Sequence, residues 1–332
     1  MRRKILVAGA TGKQGHSLIR ALLNPTTADS ENQYHIYALT RKASSPSAQH
    51  IAAENEVTVV EGDLDIPETI TKIFEQAKPD GGIWGVYSVL AFPGLGASAD
   101  GEERQGKMLA DIALEYGVSA YIYSSARRAG PKYENDLKLS GLAKARIEQH
   151  CMSLGEKGLP WTIIRPVIFM ENFDGFIGSI TFSVLKTGLK PDTEVALISS
   201  EDIGNVAAGV FRNHEQYIHK TPVLSSEFST ISQMEESYKR AMGRSIPAVP
   251  KVFAWLITKA NRGAQDLLKD LELSHTARMS GDYSELDEEI KTANSAYPMK
   301  TYHDWLLREK EPKAANGEWN KVSIGKLLTG RV

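Results

Sequence analysis

Residues 5–15 read Ile5-Leu6-Val7-Ala8-Gly9-Ala10-Thr11-Gly12-Lys13-Gln14-Gly15, a short apolar run that breaks into a glycine-rich turn. Leu18, Ile19, Leu22 and Leu23 follow at helical spacing on one face. Strand, glycine turn and amphipathic helix, in that order, set free backbone N–H groups and the positive end of a helix dipole where an anion can bind. The order predicts a dinucleotide-binding first unit, which a glycine pattern without this context would not. The spacing G-x-x-G-x-x-G also departs from the G-x-G-x-x-G of ordinary dehydrogenases.

Outward from this turn, the N-terminal half alternates β-rich runs with helical patterns, the signature of a parallel sheet. The strands are expected at Ile5–Ala8, His35–Thr40, Val57–Glu61, Gly85–Leu90, Ala120–Ser124 and Trp161–Arg165, and the helices near 14–24, 46–54, 67–77, 102–116 and 141–154. Right-handed crossovers assemble such units into a doubly wound α/β sheet of the Rossmann type. The polar stretch Asn24–Gln33 reads as a surface loop. After Arg165-Pro166 the pattern changes. A glycine-rich segment is followed by a strand at Glu194–Ile198, a helix capped by Ser200, a strand at Pro222–Ser225 and a helix over 229–242 entered through Ser229 or Thr230. Helical pieces near 250–263, 265–271 and 284–292 follow, and an irregular or docked tail runs from Glu309 to Val332. The expected division is residues 1–172 with 194–213 as the nucleotide-binding domain, and 173–193 with 214–332 as a smaller, mainly helical C-terminal lobe.

The bulk properties are those of a soluble globular chain: 332 residues, 42% hydrophobic and 24% charged, with a net charge of −2. Such a charge marks no nucleic-acid partner. One cysteine, Cys151, allows no internal disulfide and suits a reducing compartment, so a cytoplasmic or nuclear protein is expected. The basic start Met1-Arg2-Arg3-Lys4 is followed by an apolar run too short for a secretion signal, and no apolar stretch approaches the roughly 18 residues of a membrane span. No His/Cys/Asp cluster has metal spacing. Cys151 reads as a small buried residue and His150 as solvated. Arg127-Arg128 reads as a solvated loop, and Phe253, Trp255 and Leu256 read as a core stripe of the second lobe.

The second strand ends in Thr40-Arg41-Lys42. An acid at this tip would accept from a ribose 2′-hydroxyl and select NAD; cations accommodate a 2′-phosphate. Arg41 and Lys42, with Lys13 within reach, therefore favour NADP(H). At the end of the third strand, Asp63 suits the adenine amino group and Leu64 a ring face, while a helix cap by Asp63 or Asp65 is the equal alternative.

Several dispersed segments resemble the NmrA-like proteins, atypical members of the short-chain dehydrogenase/reductase superfamily. They are the turn Gly9–Gly15, Thr40-Arg41, Glu61-Gly62-Asp63, Glu103-Arg104-Gln105-Gly106-Lys107, Tyr123-Ser124-Ser125, Lys144-x-x-Ile147-Glu148, and Arg165-Pro166 to Phe169-Met170-Glu171-Asn172. The resemblance spans about 4–215 and continues loosely to Trp305-Leu306. That family includes a fungal nitrogen-metabolite repressor, a mammalian NADPH sensor and, more remotely, plant reductases of the isoflavone-reductase type. The resemblance implies cofactor contacts from Gly9, Thr11, Gly12, Lys13, Gln14, Gly15, Arg41, Asp63 and Leu64. It implies others from Leu90, Ala91, Phe92, Arg104, Lys144, Phe169, Met170, Glu171 and Asn172, whereas Lys42 matches only by neighbourhood.

Typical short-chain reductases use Tyr-x-x-x-Lys, in which the lysine anchors the nicotinamide ribose and lowers the tyrosine's pKa. Here Lys144 fits the lysine, but Ser140 stands where the tyrosine would be. Tyr123 and Tyr133 are the nearest phenols, the latter in a loop able to fold over the site. Two functions follow: a sensor that binds NADP(H) and reports its redox state to a protein partner, or an NADPH-dependent oxidoreductase acting on a small organic substrate with Lys144 as acid–base group. No motif identifies that partner, that substrate or an oligomeric state.

Overall fold

The computed structural model describes residues 2–23 and 34–308; the expected loop 24–33 and tail 309–332 lie outside the described residues. Strand β1 (Arg3–Ala8) leads into α1 (Lys13–Leu23), then β2 (Tyr34–Thr40), α2 (Pro46–Ala52), β3 (Val57–Glu61), α3 (Pro67–Ala77), β4 (Gly85–Ser88) and α4 (Asp100–Glu115). Next come β5 (Ala120–Ser124), α5 (Leu139–Gly155), β6 (Trp161–Pro166), β7 (Ile168–Phe169), α6 (Gly175–Gly188), β8 (Glu194–Ile198), α7 (Ser200–Arg212) and α8 (His214–Tyr217). The described chain ends with β9 (Val223–Leu224), β10 (Glu227–Thr230), α9 (Ile231–Met242), α10 (Lys251–Ala260), α11 (Arg262–Met279), α12 (Leu286–Ala296) and α13 (Tyr302–Leu307).

Seven strands pair in parallel in the order β3-β2-β1-β4-β5-β6-β9. The order reverses between β1 and β4, and the crevice of an open α/β sheet lies at that switch point. Both faces of the sheet are covered, so β1 carries apolar residues on both sides. Ile5 and Val7 face a core completed by Leu18, Ile19, Val206 and Phe211 of α1 and α7. Leu6 and Ala8 face the opposite core, built with Ile70 and Phe74 of α3, Leu109 of α4 and Ile147 of α5. Glycine lets α7 meet α1 closely: a Cβ on Gly204 would come within 2.4 Å of the Ser17 carbonyl carbon. A third core, with Phe173, Phe182, Leu197, Met234, Tyr302 and Trp305, fills the region of α6, α9, α13 and a small sheet in the order β10-β8-β7.

Several elements differ from the sequence-based expectation. The N-cap of α7 is Ser199, whose side chain accepts from the Asp202 N–H, and not Ser200. The glycine-rich segment after Phe173 is helix α6, and the pieces expected near 250–271 are α10 and a longer α11. Thr230 caps α9 through a reciprocal capping box with Gln233. On α10 the apolar stripe is inverted: Ala254 and Ile257 are buried, while Trp255 and Leu256 are each 51% exposed.

The Arg127-Arg128 pair is not solvated. Arg128 donates to Glu134 and to the buried Glu148 of α5, which also takes hydrogen bonds from Ser125 at the end of β5 and Arg165 of β6. Arg165 in turn reaches Tyr283, ahead of α12, and Glu289 on it. Burial would raise the Glu148 carboxyl, but hydrogen bonds from Arg128 and the charge of Arg165 overcome it and hold the group down at about 2. Because the folded carboxyl titrates below the unfolded one, the unfolded chain takes up the proton first. The stabilisation is therefore complete above about pH 5 and is lost as the pH falls toward 2. Glu148→Gln should cost about 3–5 kcal/mol at neutral pH, since it takes from two largely buried guanidinium groups the buried carboxylate they share. Urea unfolding from pH 7 down to pH 3 should show this loss and a flatter acid limb in the variant.

Candidate functional site

The turn after β1 is shaped by contacts that exclude side chains. Gly9 has φ +74°, and a Cβ there would lie 2.5 Å from the Val89 carbonyl oxygen. A Cβ on Gly15 would lie 2.3 Å from the Gly9 carbonyl oxygen. The Gly12 N–H closes the turn onto the Gly9 oxygen at 2.9 Å. Helix α1 then begins at Lys13, so the first N–H groups of the helix face the switch point without intrahelical acceptors. Gln14 ties this end of α1 to the neighbouring strands: its Oε1 accepts from Ser124 Oγ at 2.7 Å and from the Tyr87 hydroxyl at 3.3 Å. Thr11 is half-buried and Lys13 exposed. The Cβ-excluding cradle and the helix N-terminus behind it fit a pyrophosphate.

Arg41 and Lys42 stand exposed at the tip of β2. Their loop is braced by the Ala43 N–H, which donates to Glu61 Oε2 at 2.9 Å. At the end of β3, the Asp63 carboxylate accepts from the Asp65 N–H, and the N-cap position of α3, Ile66, makes no side-chain cap. Neither aspartate is the helix cap that the sequence left open. Asp65 instead pairs with Arg104 of α4 at 2.6 Å, and this hydrogen bond, ahead of one from Gln105 and the charge of Arg41, holds its carboxyl below the ordinary range. The tips of β2 and β3 and the start of α4 thus form one charged rim. Leu64 is half-buried beside it, Leu90 is buried, and Ala91 and Phe92 are exposed.

The same end of α4 carries a side chain that the sequence reading missed. Glu102, in the first turn of α4, has a side chain only 1% exposed. Its Oε1 accepts from Lys144 Nζ and its Oε2 from Ser140 Oγ at 2.7 Å. Ser140 and Lys144 are therefore brought together through a carboxylate. Neither candidate phenol joins them. The Tyr123 hydroxyl is buried with no hydrogen-bond partner among the described residues, and burial, reinforced by the charges of Glu102 and Glu148, pushes its pKa well up. Tyr133 donates to Asp282 at 2.7 Å, and that bond raises its pKa. Of the remaining expected residues, Phe169 ends β7 and Met170 is buried in the third core. Glu171 Oε1 accepts from the Ser200 N–H and hydroxyl, and Asn172 is exposed. Cys151 is buried, and burial raises its thiol to about 12.

Fold and crevice together define a doubly wound Rossmann-type protein, with Lys144 but no tyrosine on α5. The model of the NmrA-like family matches residues 1–306, and the chain belongs to that family. A curated relative, the NmrA-like family domain-containing oxidoreductase cpsB of Aspergillus campestris, is 27% identical over 313 residues covering 88% of each chain. The solved structure of NmrA, a negative transcriptional regulator, in complex with NADP has a TM-score of 0.63 at 19% identity over 92% of this chain and 94% of that one. The NADPH-dependent quinone oxidoreductase QOR2 of Escherichia coli, complexed with NADPH, also gives 0.63, at 17% identity over 91% and 98%. At such identities the structural likeness establishes the fold alone.

Gly9→Ala places a Cβ against the Val89 carbonyl at a positive φ. It should lower stability by about 1–3 kcal/mol, read as a lower midpoint in thermal unfolding of the unliganded protein.

Proposed function

We propose that the protein binds NADP(H) at the switch point and acts as a redox-state sensor for a protein partner. The glycine cradle and the N-terminus of α1 would hold the pyrophosphate, and Arg41 and Lys42 the 2′-phosphate. Asp63, Leu64 and Arg104 would border the adenine, and Lys144 the nicotinamide ribose; Leu90, Ala91, Phe92 and the segment 169–172 would complete the walls. When bound, the dinucleotide supplies a hydride-exchanging ring. The observation that carries the sensor reading is the hydrogen bond from Ser140 to Glu102 at the tyrosine position: it is given to a carboxylate, and neither Tyr123 nor Tyr133 takes its place. NmrA, a regulator solved with NADP, supports the same reading. A compartment without disulfide chemistry, cytoplasmic or nuclear, suits it as well.

The second reading, an NADPH-dependent oxidoreductase using Lys144 as acid–base group, is favoured by the relatives named oxidoreductases. The two are separated by incubating purified protein with NADPH and a panel of quinones, enals and benzylic substrates while following NADPH absorbance. The expected outcome is no turnover, and turnover abolished by Lys144→Ala would replace the sensor with the oxidoreductase. For the cofactor, Arg41→Ala should weaken NADP(H) by about tenfold or more and NAD(H) hardly at all, in direct titrations. Equal losses for both would remove Arg41 from the 2′-phosphate.

A further inference from the structure

Acids in the first turn of a helix ordinarily face solvent and complement the dipole. Asp100 and Glu103 of α4 follow this pattern in part, Glu103 reaching Lys107 and Arg146 on the outer side. Glu102 does not. Its carboxylate is buried against α5, where burying a charge is costly unless every oxygen finds a partner. Both oxygens do: Lys144 takes one and Ser140 the other. Ser140 thereby fixes the plane of the carboxylate, and the carboxylate fixes the ammonium. The Lys144 side chain remains 14% exposed, so the pair is not sealed from solvent.

We infer that Glu102 determines the oxidation-state preference of this site, its carboxylate offsetting the Lys144 ammonium so that a cationic, oxidised nicotinamide is tolerated beside it. The inference rests on the proposed NADP(H) binding and goes beyond it. The charge count is simple. An oxidised nicotinamide ring carries one positive charge and a reduced ring none. Beside Lys144 alone, the oxidised ring would meet a bare ammonium; beside the Glu102–Lys144 pair it meets a neutral neighbour. The reduced ring is nearly indifferent to both. One unit charge, several ångströms away in a medium of effective dielectric near 20, changes binding by about tenfold or more. Glu102 is therefore a positioning residue for Lys144, and it lifts the bias against the oxidised cofactor that the ammonium alone would impose.

The test is direct titration of the full chain with NADP+ and, separately, NADPH, by calorimetry. Glu102→Gln keeps the shape and removes the charge; it should raise the ratio Kd(NADP+)/Kd(NADPH) by about tenfold. Lys144→Met should move the ratio the opposite way, and the double variant should return it toward wild type. A purely structural role for Glu102 would weaken both forms together and leave the ratio unchanged, which overturns the inference while the cofactor reading stands. Wild-type protein that binds neither form removes the cofactor reading and the inference with it. Should Glu102→Gln not fold, Lys144→Met decides alone: a ratio that stays or rises is fatal.

Discussion

Backbone-to-backbone contact around the first turn governs the rest of the molecule. At Gly9, Gly15 and Gly204 the chain approaches itself so closely that a single Cβ would overlap a carbonyl group. Contacts between side chains can slide or repack; contacts between main chains cannot. They fix the height of α1 over β1 and the seat of α7 against α1, and so aim the N-terminus of α1 at the crevice between β1 and β4. Gln14 then carries this geometry sideways to β4 and β5 through Tyr87 and Ser124.

Helix α5 does the equivalent work with charge. Lys144 and Glu148 lie one turn apart, a spacing at which an exposed lysine and glutamate would pair with each other. Here each turns to a different partner. Glu148 is clamped by Arg128 and Arg165, and Lys144 is held by Glu102. Buried pairs of this kind return little net stability, because desolvation offsets most of the attraction. What they supply is position: the Glu148 cluster joins α5 to β5, β6 and α12, and on that fixed base Lys144 can be presented at a defined place.

The sheet was legible in the sequence because strands buried on both faces read as unbroken apolar runs, and because the glycine turn needs its context to be recognised. In the small sheet β8 was legible at Glu194–Ile198, but β7 and the antiparallel β10 were not, since strands this short carry too few residues for a period. Arg127 and Arg128 read as solvated because their partners are remote: Glu148 lies on another element, and the Ser274 carbonyl on another still. The stripe of α10 has helical periodicity, but periodicity does not tell which flank is covered; Ala254 and Ile257 are, Trp255 and Leu256 are not. Glu102 was hidden for a different reason. An acid in the first helical turn has an ordinary explanation in the dipole, and only the packing of α4 on α5 turns its side chain inward.

That hidden carboxylate alters what the loss of the tyrosine means. With a phenol four residues before the lysine, the ammonium's charge lowers the phenol's pKa and readies a proton for substrate. With a serine there, the hydroxyl is too weak an acid to take that part, and its hydrogen bond is already given to Glu102. Within the Glu102, Ser140 and Lys144 trio, a proton leaving Lys144 would break an ion pair whose other half stays buried. The arrangement therefore opposes proton delivery while keeping the local charge balanced. Charge is the property on which an oxidised and a reduced nicotinamide differ most, so the balance between Glu102 and Lys144 bears on both forms of the proposed cofactor.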